Sequence, residues 1–442
     1  MTKTTKPHAK DKTEVIDHYL DYPYPLRNPE DEKTRLLQID GENLHQINHY
    51  LFKGKEDFNK GFRVLIAGGG TGDSSTYLGE QLKDKNAEIV YLDFSKNSME
   101  IAKKRAEYRG IKNIKFINDS IFNIPNLNLG KFDYINCSGV LHHLVAPYEG
   151  IQILQSALKP EGGVNIMVYA KYGRTAVYQI QDLMKRINEN VTKRDEEVQN
   201  TKVILNHLPQ TNWYMRAQDL ISDVRNYGDV GIYDLFLHKQ DRCYSIEELY
   251  EFIETPGLNF VEWSEILPRL TLRVENFITD PAMLAKIKAM PLRKQQAIVE
   301  LIAGNIIKHT FYASNLKDPV AKFDDMNNVP CFFGIAGLAK DLCHYLENNK
   351  IENVQNMSMT INSVWVPSGI NVTIPITEYM LPFFQVIKED NNAKSFGEIF
   401  EEMKKILGKK IDEKSYIAFL EKTLSVLVDS GVLLLRDKSV NI

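Results

Sequence analysis

The stretch that most constrains this chain is Val64-Leu-Ile-Ala-Gly-Gly-Gly-Thr-Gly-Asp73, a short apolar run that ends in glycines. An unbroken apolar run such as residues 62–67 is what a parallel strand buried on both faces requires. Glycines 68, 70 and 72 let the backbone turn tightly and approach a ligand with no side chain in the way. A strand that stops in such a turn and continues as helix is the first unit of a βαβ fold.

The same rhythm repeats downstream. Strands are predicted over residues 87–92 (AEIVYL), 114–117, 132–137 (FDYINC) and 164–170 (VNIMVYA). Between them, Met99, Ala102 and Ala106 share a helical face before Gly110. Ile151, Leu154 and Leu158 do the same before Pro160 and a Gly162–Gly163 turn. After residue 170 the pattern becomes helical (Val177, Ile180, Met184, Ile187), then polar, and a helical insertion is predicted over about 175–244. Ser245 and Glu248 stand in capping-box spacing at the start of a further helix. Residues 260–263 and 310–313 are read as the last two strands, around a second helical insertion at about 270–308. The expectation is an α/β domain over residues 61–317.

Two flanking units are expected. Residues 1–60 form a tail and capping segment: an unstructured start, a Tyr/Pro-rich stretch over 19–29 that alternate prolines keep extended, and helical periodicity at Leu36, Leu37, Ile39, Leu44 and Ile47. Residues 318–442 carry a second capping box at Ser395 and Glu398. A helical stripe (Phe396, Ile399, Phe400, Met403, Ile406, Leu407), a helix over 416–428 and the strand VLLLR follow. Helix, helix and short strands predict a winged-helix-like module whose stripe is core.

A chain of 442 residues exceeds one ordinary core, in keeping with this division. The net charge of −4 gives no general attraction to polyanions, which argues against nucleic acid as a partner. Cys137, Cys243, Cys331 and Cys343 lack CxxC spacing and read as buried thiols rather than a zinc site or disulfide framework. The polar N-terminus has no apolar signal region, and the longest apolar runs are too short to span a bilayer, so a cytoplasmic location is expected.

The glycine spacing is GxGxG. A dinucleotide fingerprint needs a glycine where Asp73 stands, and a carboxylate there would repel a pyrophosphate. The turn therefore suits a ligand without phosphate, preferably a cation. Asp93 lies 21 residues beyond Gly72, where an acid can accept both ribose hydroxyls, and Asp119 ends the next strand, where it can meet an adenine amino group. Both occupy C-terminal strand ends, the ligand edge of open α/β sheets.

VLIAGGGTGD, YLDFS, NDS, FDYINCSGVLHHL and LKPEGGVNIMVYA, in that order over residues 63–170, resemble the successive motifs of class I S-adenosylmethionine-dependent methyltransferases. The resemblance implies a seven-stranded Rossmann-like sheet of order 3-2-1-4-5-7-6 and S-adenosyl-L-methionine as cofactor. It implies contacts from Gly68, Gly69, Gly70 and Gly72, from Asp93 and Phe94 at the ribose, and from Asp119 and Ser120 at adenine. The loop over 137–142, with Ser138, would lie beside the methionine moiety. Many family members carry an acid where this chain has Ile66, so the methionine ammonium needs another partner, Asp73 or backbone carbonyls. A looser similarity links the chain to bacterial methyltransferases with a C-terminal regulatory domain, some of which methylate lysines of surface proteins.

The remaining candidates each have a plain structural alternative. Tyr22 and Tyr24 can close over a sulfonium by cation–π attraction, or simply pack on the sheet. His142 and His143 are neighbours that share no helical face and have no third ligand nearby, so no metal is expected; His143 is either a base or substrate contact, or a loop hydrogen-bonder. Tyr172 and Asp241, with Arg174, His238 and Arg242, either shape an acceptor pocket or form a solvated loop or internal ion pair. Methyl transfer needs alignment and exclusion of water more than a dedicated catalytic group, so His143, Tyr172 and Asp241 are the catalytic candidates. NCSGVLHH stands where enzymes acting on base amino groups carry an NPPY-type sequence, and the Pro-Cys nucleophile of cytosine C5 enzymes is missing too. Three functions remain open: methylation of a protein side chain, methylation of a small metabolite under a helical lid, and non-catalytic cofactor binding with a regulatory role.

Overall fold

The computed structural model describes residues 24–221, 223–332, 338–348, 356–363, 366–388, 393–408 and 411–442. Helix α1 (Leu44–Leu51) precedes the strands β1 (Phe62–Ala67), β2 (Ala87–Asp93), β3 (Ile114–Asn118), β4 (Phe132–Ser138), β5 (Leu158–Ala170), β6 (Cys243–Tyr244), β7 (Asn259–Trp263) and β8 (Lys308–Ser314). They form one sheet in the order β3-β2-β1-β4-β5-β8-β7, with the two-residue β6 added along the end of β5. Pairing is parallel from β3 to β5 and antiparallel where β8 lies between β5 and β7. With β6 set aside, this is the implied 3-2-1-4-5-7-6 order.

Strand β1 shows why the apolar run is unbroken. Leu65 and Ala67 join the core under β4, β5 and β8, while Val64 and Ile66 join a second core on the other face with Leu44, Ile47 and Leu51 of α1. Burying each of the valine, leucine and isoleucine side chains among these stabilises the fold by roughly 1.5–3 kcal/mol. Strand β5 departs from expectation by starting at Leu158. Pro160 to Gly163 lie within it rather than in a turn, and a register shift opposite Phe132 and Tyr134 absorbs the extra residues.

Helices α2 (Asp73–Leu82), α3 (Lys96–Tyr108) and α4 (Pro147–Ala157) cover the sheet. The first insertion holds α5 (Thr175–Ile187), α6 (Arg194–His207), α7 (Trp213–Ala217) and α8 (Asp223–Phe236), which is broken at Gly228. These helices pack on their own core of Val177, Ile180, Met184, Tyr214 and Phe236. Helix α9 (Ile246–Glu254) carries the expected capping box, and α10 (Ile266–Thr271), α11 (Pro281–Lys288) and α12 (Leu292–Ala303) fill the second insertion. The helix expected from Leu36 is absent. Leu36 and Ile39 lie in extended chain, and the preceding turn is a 3-10 helix over Pro29–Lys33 capped by Asn28.

In the C-terminal part, β9 (Asn328–Phe332) and α13 (Leu338–Asn348) precede a hairpin of β10 (Asn356–Ser363) and β11 (Val366–Pro375). Helices α14 (Met380–Ile387), α15 (Phe396–Ile406), α16 (Glu413–Phe419) and α17 (Ser425–Asp429) lead to β12 (Leu433–Asp437), which pairs antiparallel with β9. Phe396, Ile399, Phe400 and Met403 are core as the stripe predicted, whereas Ile406 is exposed. This part is bound to the sheet domain through α1, where Leu435 donates its backbone N–H to His49 Nδ1 at 2.9 Å. Arg269 also donates to the Val428 carbonyl at 3.3 Å. Among the described residues, no helix is long and apolar enough to cross a membrane.

Candidate functional site

A cleft of about 260 Å³ opens at the C-terminal ends of β1, β2, β3 and β4. Gly68, Gly69 and Gly70 line it, together with Asp93, Phe94, Asp119, Ser120, Ser138 and His143. A side chain at Gly69 would run into the Tyr91 ring, with a Cβ only 2.1 Å from it, so that position tolerates none. Gly72 is not part of the wall. It is left-handed (φ 96°), and its missing Cβ lets α2 approach Ala102 of α3, so its role is packing behind the turn.

The carboxylates at this end are held by backbone donors. Asp93 accepts from the Gly70 N–H on Oδ2 and from the Ser95 N–H on Oδ1, both at 2.7 Å. Its burial raises the carboxyl to about 6, opposed by those two hydrogen bonds. Asp119 Oδ1 accepts from the Ser120 N–H at 2.7 Å and from Asn123 Nδ2 at 2.6 Å. Each acid thus has an orientation fixed by the turn that follows its strand, with acceptor capacity left for a ligand.

A strap from the N-terminal segment closes over the glycine turn. Thr71 donates its hydroxyl to the Pro25 carbonyl at 2.7 Å, and Tyr24 and Pro25 line the cleft. Arg27 meets Asp73 at 2.7 Å, and the buried Arg105 reaches Asp73 at 2.5 Å, Glu32 at 2.8 Å and the Thr71 carbonyl at 3.0 Å. Burial would raise the Asp73 carboxyl, but the two arginines hold it below the usual range. The Asp73 carboxylate is therefore committed to fastening the strap, which counts against it as the partner of a ligand ammonium. Tyr22 lies outside the described residues.

The other end of the cleft is assembled from distant parts of the chain: Met167 and Tyr169 of β5, Leu144, His143 and, from α8, Asp234. His143 stacks on His238 with ring centroids 3.9 Å apart, and its Nδ1 lies 3.0 Å from the Gln240 carbonyl. A carbonyl only accepts, so Nδ1 carries the proton and Nε2 is the basic nitrogen. Burial lowers the affinity of this imidazole for a second proton, with Asp241 and Asp234 partly opposing. Asp241 is not in the wall. It forms a buried pair with Arg174 at 3.3 Å, and the guanidinium lies 3.5 Å from the Tyr169 ring centroid. Tyr172 is likewise absent from the wall.

The reading that no third ligand lies near the two histidines needs correction. His142, His143 and Asp241 bring ligand atoms within 4.8 Å of one another, because the first insertion returns to the loop after β4. The Arg174 guanidinium beside them disfavours a cation at that point. Residues that sequence reasoning passed over include Ser74, Asn136, Met167, Tyr169 and Asp234; the three on β4 and β5 resemble any strand residue, and Asp234 carried no local signal.

A family model described as methyltransferase domain matches residues 58–244. An uncharacterized protein of Synechococcus is 30% identical over 268 residues, 60% of this chain and 63% of its own length. A ubiquinone biosynthesis O-methyltransferase of Vibrio campbellii is 30% identical over 148 residues, 32% of this chain and 60% of its own length. The chain thus spans about three fifths of these curated relatives. The solved structure of PKMT2 from Rickettsia typhi shares the fold over 90% of this chain and 76% of its own, at a TM-score of 0.59 and 20% identity. That protein has also been solved in complex with AdoHcy, matching with a TM-score of 0.58 and 18% identity over 92% of this chain and 76% of its own.

Proposed function

We propose that this chain, whose residues 58–244 match a methyltransferase-domain model, is a class I S-adenosylmethionine-dependent enzyme that transfers a methyl group from S-adenosyl-L-methionine to a lysine side chain of a protein. The cofactor supplies a methyl carbon already activated by a sulfonium charge. Gly68 to Gly70 would admit it to the turn, Asp93 would accept from its ribose, and Asp119 and Ser120 would face its adenine.

The observation that carries the acceptor reading is the far end of the cleft, where the Asp234 carboxylate stands beside Tyr169 and His143. A carboxylate among aromatic rings suits an incoming ammonium. A lysine ammonium has no lone pair and must first lose a proton, which His143 Nε2 would take in this reading. The amine lone pair then forms the new N–C bond as the S–C bond breaks, and the wall of Met167, Tyr169 and Leu144 excludes water. The shared fold with PKMT2 runs well beyond residues 58–244 and supports the same reading. In this reading residues 1–60 are a tail and capping segment whose described part carries the strap, 61–317 are the methyltransferase domain, and 318–442 are a winged-helix-like module that positions or regulates the acceptor.

A metabolite acceptor is the second reading, favoured because α8 reaches across the cleft mouth, where Tyr227 meets Tyr24 edge-on at 5.6 Å. Incubation with methyl-labelled cofactor and lysate from the host cell, split into macromolecular and small-molecule pools, separates the two. Label on lysines of the protein pool is expected. Label confined to the small-molecule pool sinks the protein reading, and label in neither sinks both.

A further inference from the structure

Glu42, just ahead of α1, is fully buried, and its carboxylate is only half satisfied. Oε1 accepts from Ser74 Oγ at 2.9 Å and from Asn136 Nδ2, whereas Oε2 has no hydrogen-bond partner. Both donors line the cleft: Ser74 from the first turn of α2, and Asn136 from β4, where it sits opposite Ile66 of β1. Glu42 therefore lies one side chain behind the wall, at the junction of the glycine turn and β4.

Among the described residues, no cation acts on it. The groups that act on it are Ser74, Asn136 and the anionic Asp73, and it faces the hydroxyls of Tyr134, Tyr312 and Tyr77 in turn. Burial, with Asp73 adding, raises the carboxyl to about 8. A buried acid with an orphan oxygen is costly unless something pairs with it. The lining acids near the turn are already engaged: Asp73 by two arginines, Asp93 and Asp119 by backbone N–H groups.

We propose that Glu42, acting through Ser74 and Asn136, is the counter-charge for the cationic aminoalkyl end of the ligand that this cleft binds, in place of an acid at Ile66. The proposal rests on the cofactor reading above. Glu42 is a positioning residue: it holds the Ser74 hydroxyl and the Asn136 amide, and supplies negative charge close behind them once the ammonium arrives.

Calorimetry with two probes tests it. S-adenosylhomocysteine carries the amino-acid end, and 5′-methylthioadenosine is the same nucleoside thioether without it. In the full chain, Glu42→Gln is expected to weaken S-adenosylhomocysteine at least about 30-fold, consistent with loss of a buried charge interaction, and to leave 5′-methylthioadenosine within about twofold. Asp93→Ala weakens both. At pH 7, wild-type binding of S-adenosylhomocysteine should release protons, read in two buffers of different ionisation heat, and Glu42→Gln should remove most of that release, leaving only the small part that comes from Asp93. Equal weakening of both probes by Glu42→Gln, or no change in either, overturns the proposal while leaving the cofactor reading standing. Failure of both probes to bind wild type removes the cofactor reading and this proposal together. Should Glu42→Gln not fold, Ser74→Ala must show the same selectivity at smaller size; an unselective Ser74→Ala counts against the role.

Discussion

The two ends of the cleft are built in different ways. At the nucleotide end, Asp93 and Asp119 take their orientation from backbone N–H groups one or two residues on, or from the neighbouring glycine turn. At the end proposed for the acceptor, Tyr169, His143 and His238 orient one another through ring contacts drawn from β5, the loop after β4 and the first insertion, with Asp234 in the same wall. The first kind of site is a property of the strand–turn–helix unit and needs little else. The second exists only when the insertion is docked, so it is where one fold can take different acceptors.

The largest effect expected from breaking that contrast is in the buried charge networks. Arg105→Ala takes the most deeply buried cation from Glu32 and Asp73, leaving them Arg109 and Arg27, and Arg174→Ala removes the cation paired with Asp241. Removing one partner of such a pair costs about 3–5 kcal/mol, so urea denaturation should show both variants strongly destabilised. Only Arg105→Ala should also weaken S-adenosylhomocysteine, because only that network fastens the strap to the glycine turn. Equal loss of affinity in Arg174→Ala would mean that the two ends are not separate.

Next in size are substitutions at the walls themselves. Asp93→Ala should weaken S-adenosylhomocysteine by about 100-fold, as expected for hydrogen bonds to a charged acceptor. His143→Gln should leave that affinity within about twofold and lower methyl transfer to the protein pool by about 10²-fold, the usual contribution of a general base. Loss of affinity in His143→Gln would place this residue at the cofactor rather than the acceptor.

The same contrast explains what could be read from the sequence. The glycine turn, Asp93 and Asp119 were legible because strand, turn and cleft wall are contiguous, and the sheet order followed from the resemblance of motifs lying within residues 63–170. Gly72 and Asp73 were legible as part of the turn but not in role: their partners, Ala102, Arg105 and Arg27, lie on another helix and on the strap. Asp234 and Asn136 could not be picked out, since one lies in an insertion with no periodicity tied to the sheet and the other resembles any strand residue. The periodicity over Leu36, Leu37, Ile39, Leu44 and Ile47 marks a helix only from Leu44 on, because the helix starts behind the Asn43 cap and the three earlier apolar residues precede it.

The smallest effect sharpens the comparison with protons. Asp93, at about 6 in the ligand-free protein, works as a ribose acceptor only when ionised, so binding favours the deprotonated form. Affinity for 5′-methylthioadenosine, which lacks the amino group and so leaves Glu42 out, should be full above pH 6 and fall as pH drops through 6. At most it falls about tenfold per pH unit. The acceptor-end imidazoles of His142 and His143 are held below their ordinary value by burial, so they stay neutral as pH rises from 7 and add no slope to this titration there. In Asp93→Asn the curve should be flat at a weakened affinity. A wild-type curve flat down to pH 5 would remove Asp93 as an ionised acceptor. A slope that survives in Asp93→Asn would show that proton-linked binding at the nucleotide end comes from a side chain outside the strand–turn–helix unit, and the division between the two ends would then fail at its better-defined half.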